Sequence, residues 1–247
     1  MGKLYAVGFG PGGYEHMTQR AIDVINSVDI VTGYTTYIEM IKEFFPDKEY
    51  LATPMTKEID RCKMALDLAE EGKTVAMVSS GDSGIYGMAG IVLEIAADRG
   101  SDVEIETIPG ITAASAAASV LGAPLMHDFA IISLSDLMTP YDLIMKRIDC
   151  VGQGDMIVCL YNPKSKKRID YVEKAAEILM KYRSPDTPAG IVRNAGRADQ
   201  SSLVTTLGEL KDAPIDMFSI VLIGNSRTYV SDGKMITPRG YDQKYGL

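Results

Sequence analysis

The feature that most constrains the fold is a regular alternation of strand-like and helix-like segments, with glycine-rich turns after several of the strands. In the first half, short apolar runs typical of buried strands cover residues 4–8, 29–32, 74–78 and 103–107. Amphipathic helices are predicted between them, one after an N-cap at Thr18 and others at residues 58–71 and 85–99. This alternation predicts a mostly parallel sheet covered on both faces.

The second half repeats the alternation after a break at Gly122-Ala123-Pro124. Strands are predicted at residues 130–133, 155–160, 189–192, 203–206 and 219–223, and helices near 141–151 and 169–182. The sequence therefore predicts two α/β domains, 1–123 and 124–247. We expect a cleft between them, because clefts between domains are common small-molecule sites.

Composition narrows the function classes. A net charge of −8 argues against general nucleic-acid binding, because a phosphate backbone selects basic surfaces. No run approaches the roughly 20 apolar residues of a membrane helix, and the N-terminus has no signal-peptide pattern, so we expect no membrane association and a cytoplasmic protein. Three separated cysteines without a C-x-x-C spacing, together with two histidines, predict no metal site.

The loop after the first strand, Gly8-Phe9-Gly10-Pro11-Gly12-Gly13, literally satisfies the dinucleotide fingerprint G-x-G-x-x-G. That interpretation requires an acidic residue at the end of the second strand. Asp29 lies at the wrong end of that strand, and the next acid, Glu39, falls in a predicted helix. Pro11 also removes a backbone donor where a phosphate would need one. A nicotinamide or flavin cofactor is therefore the weaker interpretation.

Two further turns follow strands and carry small residues. In the segment 79–87, Asp82 is flanked by small side chains, so its carboxylate could approach a polar ligand closely; the alternative is an N-cap for the following helix. In the segment 109–119, Thr112 precedes a helix rich in alanine, which would let a flat ligand or a neighbouring backbone come close. Both interpretations remain open from the residues alone.

Cationic residues cluster after strands of the second half. Four of the five residues at 164–168 are Lys or Arg, and Arg193 and Arg197 follow the next strand. In a chain of net negative charge, such a cluster can gather a polyanionic substrate. A further polar segment, residues 133–140, follows a predicted strand and leads into a helix. The pattern indicates an enzyme that positions a neutral or cationic cofactor beside an acidic substrate.

The ordered set of motifs resembles the tetrapyrrole methylase family, which uses S-adenosylmethionine and has two α/β domains with the cofactor between them. The motifs are Gly8-x-Gly10-Pro11-Gly12, Gly81-Asp82-Ser83-Gly84-Ile85-Tyr86-Gly87 and Pro109-Gly110-Ile111-Thr112-Ala113. Within the family, the segments 133–140 and 160–168 are similar to the branch that methylates carbon 17 of precorrin-3B or its cobalt-containing counterparts. Two departures are Ser83, where many relatives have proline, and Ala195, where relatives often have glycine.

The resemblance implies a function and a set of site residues. It implies methyl transfer to carbon 17 with ring contraction in cobalamin biosynthesis, S-adenosylhomocysteine as the product, an acidic tetrapyrrole as substrate and a homodimer. The implied cofactor contacts are Pro11, Ser80, Gly81, Asp82, Ile85, Thr112, Ala113, Tyr161 and Ala195. Candidates for substrate carboxylates are Lys164, Lys166, Arg168, Arg193 and Arg197, and candidates for catalysis are Asp82, Ser135 and Asp136.

Three alternatives remain. The chain could be another precorrin methyltransferase of the same family, a nicotinamide-dependent oxidoreductase or a non-catalytic tetrapyrrole carrier.

Overall fold

The computed structural model describes residues 2–246 and divides into two compact units, Met1–Ala113 and Ala114–Leu247. The elements of the first unit are β1 (Lys3–Gly8), α1 (Gln19–Ser27), β2 (Ile30–Tyr34), α2 (Thr35–Ile41), β3 (Glu49–Thr53), α3 (Glu58–Glu70), β4 (Thr74–Ser79), α4 (Ala89–Arg99) and β5 (Glu104–Ile108). A 3-10 turn at Tyr14–His16 precedes α1.

The first unit is built on a parallel sheet of order β3-β2-β4-β1-β5. Side chains of β1 pack in two separate apolar clusters, one on each face of the sheet. Leu4 packs with side chains of α3 and α4, whereas Val7 packs with side chains of α1 and α2. Because successive side chains of a strand point to opposite faces, the helices cover both faces of the sheet. This confirms the architecture predicted from the strand–helix alternation.

The second unit contains a mixed sheet and a smaller one. Its elements are α5 (Ala113–Leu121, which begins at the unit boundary), β6 (Gly122–Ala123), β7 (Phe129–Ser133), α6 (Tyr141–Gln153), β8 (Ile157–Tyr161), α7 (Tyr171–Leu179), β9 (Pro188–Arg193), β10 (Ser201–Thr206), β11 (Ser219–Ile223), β12 (Tyr229–Ser231), β13 (Lys234–Ile236) and α8 (Tyr241–Tyr245). The larger sheet has the order β10-β9-β11-β8-β7, and the smaller sheet the order β12-β13-β6.

In the larger sheet β7 and β8 are parallel, whereas β11 runs antiparallel to both β8 and β9. The strands β7, β8 and β9 therefore end at the same edge. The helices α6 and α7 pack with these strands in one apolar core that includes Ile144, Val172 and Leu179. The α/β class predicted for both halves is confirmed.

Three features differ from the sequence expectations. The helix predicted from residue 85 begins at Ala89, because residues 81–88 form turns. The strand β3 was not predicted, since its partly exposed sequence lacks an apolar run. The boundary between the units falls between Ala113 and Ala114 instead of after residue 123, because Leu121 packs against Gly190 and β6 pairs with β13 inside the second unit.

Within residues 2–246, no helix combines the length and apolar character needed to cross a bilayer.

Candidate cofactor and substrate sites

The three glycine-containing turns of the first unit follow neighbouring strands. They begin at Gly8, Ser79 and Ile108, the last residues of β1, β4 and β5. Since β1 lies between β4 and β5 in a parallel sheet, the turns lie side by side at the carboxyl edge. This edge is where open α/β sheets bind ligands.

The first two turns are joined through their backbones. The amide of Gly10 donates to the carbonyl of Gly81 at 3.0 Å, and the amide of Gly81 donates to the carbonyl of Gly10 at 2.7 Å. Both residues have positive φ angles, +82° and +73°, which glycine adopts without the strain that a Cβ would bring. The amides of the opening loop are therefore partly used within the protein.

Two other glycines allow the strand ends to approach closely. A Cβ at Gly110 would lie 2.2 Å from the carbonyl oxygen of Gly81 and 2.5 Å from that of Gly8. A Cβ at Gly8 would lie 2.7 Å from the carbonyl oxygen of Gly81. All of these neighbours are backbone atoms, so both positions require glycine for the turns to meet.

Asp82 connects the second turn with the third. Its Oδ1 accepts hydrogen bonds from the amides of Gly84 at 2.8 Å and Ile85 at 3.1 Å, and its Oδ2 accepts one from the amide of Gly110 at 3.0 Å. The N-cap of α4 is Met88, so Asp82 does not cap that helix. Its carboxylate instead shapes the turns, and among the described residues it forms no ion pair.

Ser83 has a defined structural role. Its buried hydroxyl donates to the carbonyl of Ile108 at 3.0 Å, which ties the second turn to the end of β5. A proline at this position could not make that bond.

The structure brings together the predicted cofactor residues of the first unit. Pro11 and Gly81 are buried, Ser80, Asp82, Thr112 and Ala113 are partly buried, and Ile85 is exposed. The hydroxyl of Ser80 donates to the carbonyl of Gly10 at 3.4 Å, and a Cβ placed on Gly81 would come within 3.8 Å of the amide nitrogen of Ala113.

In the second unit, the predicted residues Tyr161 and Ala195 lie at the carboxyl edge of the larger sheet. Tyr161 ends β8 and is buried, and its hydroxyl accepts a 2.7 Å hydrogen bond from the amide of Ala114. Ala195 is buried just after β9 and follows Asn194, whose φ angle is +49°. The amide of Asn194 donates to the carbonyl of Phe218, which holds this loop in place.

The predicted substrate cations fall into two groups. Arg193 donates to Asp216 at 2.7 Å and to Asp199 at 3.2 Å, and these carboxylates raise its pKa. Its charge is therefore already balanced within the protein. Lys164 is partly buried and Lys166 is exposed, and neither has an ion-pair or hydrogen-bond partner among residues 2–246. Arg197 is partly buried in the loop after β9.

Arg168 connects two loops at this edge. Its Nη1 donates to the carbonyl of Leu134 at 3.3 Å and lies 3.7 Å from Oδ1 of Asp136. Its own backbone amide and carbonyl both bond to Ser165, at 3.1 Å each. The Nε of Arg168 is buried and has no hydrogen-bond partner among residues 2–246. The guanidinium therefore fastens the loop after β8 to the loop after β7.

Asp136 is exposed and held by a neighbouring tyrosine. The hydroxyl of Tyr171 donates to its Oδ2 at 2.7 Å. This bond is the main cause that lowers the pKa of Asp136, with smaller contributions from the charges of Arg168 and Lys167. The carboxylate therefore stays ionised, and the pKa of Tyr171 is raised in return.

Ser135 lies beside Asp136 and is positioned through the end of β7. Its amide donates to the hydroxyl of Ser133 at 3.2 Å, and that hydroxyl also accepts from the side-chain amide of Asn162 at 2.9 Å. Asn162, with a φ angle of +51°, lies in the segment 160–168 but was not predicted as a site residue. Tyr171 was also missed, because a tyrosine at a helix start carries no distinctive local signal; the aspartate thirty-five residues earlier becomes its partner only through folding.

Two solved structures with this fold are titled as methyltransferases. "Crystal structure of the methyltransferase CobJ" superposes with a TM-score of 0.90 at 33% identity, covering 96% of this chain and 100% of that one. The structure titled as a cobalt precorrin-4 methyltransferase, CbiF, has a TM-score of 0.75 at 26% identity, covering 90% and 94%. The sequence also matches the family described as "Tetrapyrrole (Corrin/Porphyrin) Methylases" over residues 3–211. The chain belongs to the tetrapyrrole methylase family, which confirms the resemblance inferred from the motifs.

Curated relatives narrow the branch. The chain is 50% identical to the "Probable cobalt-factor III C(17)-methyltransferase" of Salmonella typhimurium, over 96% of this chain and 99% of that protein. It is 37% identical to the "Precorrin-3B C(17)-methyltransferase" of Sinorhizobium sp, with 97% of each covered. It is 48% identical to the "Cobalt-factor III methyltransferase" of Priestia megaterium, where it spans 100% of this chain and 46% of that longer protein. These names belong to the branch that the segments 133–140 and 160–168 predicted.

Proposed function

We propose that this protein transfers a methyl group from S-adenosylmethionine to carbon 17 of a precorrin-3B or cobalt-factor III type tetrapyrrole, with contraction of the macrocycle, in cobalamin biosynthesis. The observation that carries the proposal is the 50% identity to a relative of that name along almost the full length of both chains.

The first unit fits a cationic cofactor better than a diphosphate. A diphosphate site needs free backbone amides, yet the amides of Gly10, Gly81, Gly84 and Gly110 already bond within the protein, and Pro11 has none. The carboxylate of Asp82 would repel phosphate and attract a sulfonium or ammonium group. This electrostatic arrangement also disfavours a nicotinamide-dependent oxidoreductase.

S-adenosylmethionine supplies an electrophilic methyl group on sulfur and leaves as S-adenosylhomocysteine. The residues proposed to hold it are Pro11, Ser80, Gly81, Asp82, Ile85, Thr112 and Ala113 in the first unit, with Tyr161 and Ala195 in the second. Rigid turns suit this task, because an in-line displacement gains most from alignment at near-contact distance. The linked backbones of the turns provide that rigidity.

The second unit is proposed to bind the acidic tetrapyrrole. Lys164, Lys166 and Arg197 are the proposed partners of its carboxylates. Arg168 and Arg193 bond within the protein and hold the loops in place. Ser135 and Asp136 are the proposed catalytic side chains. Because Asp136 stays ionised, it would stabilise positive charge that develops on the ring during contraction.

The decisive experiment is anaerobic incubation of the protein with S-adenosylmethionine and cobalt-factor III, followed by product mass and NMR. We expect a gain of one methyl group at carbon 17. Methylation at another position would assign the chain to another precorrin methyltransferase, and tetrapyrrole binding without turnover would indicate a carrier. Stabilisation by NADH but not by S-adenosylhomocysteine in a thermal-shift assay would reject the methyltransferase proposal.

A matched pair of variants tests the cofactor assignment. Asp82→Ala leaves three backbone amides without their acceptor and removes the negative charge, so we expect much weaker binding of S-adenosylhomocysteine by calorimetry. Asp98→Ala, on the exposed side of α4, serves as the control and should bind normally. We also propose a cytoplasmic homodimer without nucleic-acid partners, which light scattering and a DNA-binding assay would test.

A further inference from the structure

Two neighbouring apolar side chains in the loop after β7 are almost fully exposed. Leu137 is 81% exposed and Met138 is 94% exposed. Burial of apolar side chains of this size stabilises a folded protein, and these two side chains do not contribute that stabilisation. Adjacent exposed apolar residues of this kind mark a binding surface more often than scattered ones do.

The loop that carries these residues is firmly held at its base. Leu134 accepts from Arg168, Ser135 donates to Ser133, and Asp136 accepts from Tyr171. These bonds flank Leu137 and Met138 on the N-terminal side, and α6 begins shortly afterwards at Tyr141. The apolar pair is therefore presented on an anchored loop.

The neighbouring loop adds a third apolar side chain and several cations. Ile169 is 68% exposed and directly follows Arg168, which contacts Asp136 across the two loops. Lys167 is close enough to Asp136 for its charge to contribute to the low pKa of that carboxyl. Lys166 and Lys167 are exposed and have no ion-pair partner within the described part of the chain.

We propose that Leu137, Met138 and Ile169, together with Lys166 and Lys167, form a platform for the acidic tetrapyrrole. Its apolar side chains would cover the face of the macrocycle, and its ammonium groups would pair with peripheral carboxylates. The combination favours this ligand, because a flat apolar ring edged with anions is complementary to apolar residues edged with cations. The inference rests on the proposed function, whose substrate site it defines further.

Arg168 and Tyr171 are positioning residues of this platform. They reach no ligand in this assignment; they hold Asp136 and Leu134, and thereby fix the loop that presents Leu137 and Met138. Removal of the Arg168 or Tyr171 side chain should weaken ligand binding, because the loop would lose order. The conservative variant Arg168→Lys should keep only part of the wild-type affinity, because lysine cannot contact both loops as a planar guanidinium does.

The test compares the double variant Leu137→Gln/Met138→Gln with wild type. Uroporphyrin, a stable acidic tetrapyrrole, is titrated while its fluorescence is followed, and the KM for cobalt-factor III is measured. We expect the dissociation constant and the KM to rise about tenfold or more, because the covered apolar surface is lost. The affinity for S-adenosylhomocysteine should stay unchanged. Leu93→Gln, an exposed apolar position on α4, is the matched control and should leave both values unchanged.

A second pair of variants tests the cations. In Lys166→Met/Lys167→Met, uroporphyrin binding should weaken and lose much of its dependence on salt concentration, whereas Lys146→Met/Arg147→Met on α6 should retain both. Unchanged porphyrin affinity and KM in the Leu137/Met138 variant would overturn the platform. A changed oligomeric state in light scattering with unchanged affinity would also overturn it, since a second copy would then cover the loop.

Failure of the platform and failure of the proposed function give different results. If wild type methylates cobalt-factor III at carbon 17 but the variants keep normal KM values, the platform is wrong and the function stands. If wild type binds uroporphyrin in the platform-dependent way but transfers no methyl group, the function is wrong and the platform stands.

Discussion

Substitution of Gly110 by alanine offers the sharpest test of the linked turns. The new Cβ would lie 2.2 Å and 2.5 Å from the carbonyl oxygens of Gly81 and Gly8, distances at which one backbone must move. Hydrogen bonds hold the backbone at these contacts, so the chain can shift only slightly to remove the clash. Overpacking of this kind costs about 1–3 kcal/mol, and we expect the upper end of that range.

The magnitude leads to a measurable shift. With about 2–4 °C of Tm per kcal/mol for a chain of this length, a loss of about 3 kcal/mol lowers Tm by roughly 6–12 °C. The shift is read by calorimetry, and the affinity for S-adenosylhomocysteine should fall in parallel, because the amide of Gly110 then leaves Oδ2 of Asp82.

The control for this prediction is another glycine. Gly90 lies in α4, and a Cβ there would meet nothing within 4 Å. Gly90→Ala should therefore keep or raise Tm, since alanine favours helix by about 0.5–1 kcal/mol. Equal Tm values and equal ligand affinity for Gly110→Ala and wild type would refute the close-approach argument.

Other perturbations have equally defined outcomes. Tyr161→Phe leaves the buried amide of Ala114 without its acceptor, so urea unfolding should show a loss of about 1–3 kcal/mol. Tyr171→Phe removes the bond that contributes most to the lowered pKa of Asp136. Because that bond is stronger to the ionised carboxylate than to the neutral acid, the loss of stability relative to wild type should be constant above about pH 5 and shrink as pH falls below roughly 4. A loss independent of pH would contradict this assignment. A thiol reagent should modify only Cys150 in the native protein. Burial raises the pKa of Cys62 to about 11 and that of Cys159 to about 12, so their thiols stay protonated and covered. Labelling of all three cysteines before unfolding would contradict this burial.

Local pattern predicted most of the regular elements, because apolar periodicity reports directly on burial. The strand at Ser219–Ile223 was predicted with its observed bounds, and α3 differs from its prediction by one residue. Elements without such a pattern were missed. The exposed strand β3 and the short strands β6, β12 and β13 depend on pairing with distant segments, which a local reading of the sequence does not reveal.

The candidate site also combines features that the local sequence predicts with contacts that only folding creates. The strand-end turns around Gly8, Asp82 and Gly110 were found from the sequence, because small residues after buried strands are a local signal. Their roles were decided by folding. The sequence leaves a helix cap and a ligand contact open for Asp82, and in the structure its carboxylate accepts amide hydrogen bonds from two turns. Arg168 and Arg193 are predicted from the sequence to hold substrate carboxylates, and in the structure each has an ion-pair partner far along the chain.

The sequence by itself determined the α/β class, the family, and the edge of the sheet where the conspicuous turns would lie. These follow from periodicity and from motifs a few residues long. Only the tertiary structure decided which side chains remain available for a ligand, because that depends on pairs such as Tyr171 with Asp136, thirty-five positions apart. A hydrogen bond needs its donor and acceptor within about 3 Å, and only the packing of the folded chain brings residues from distant segments that close.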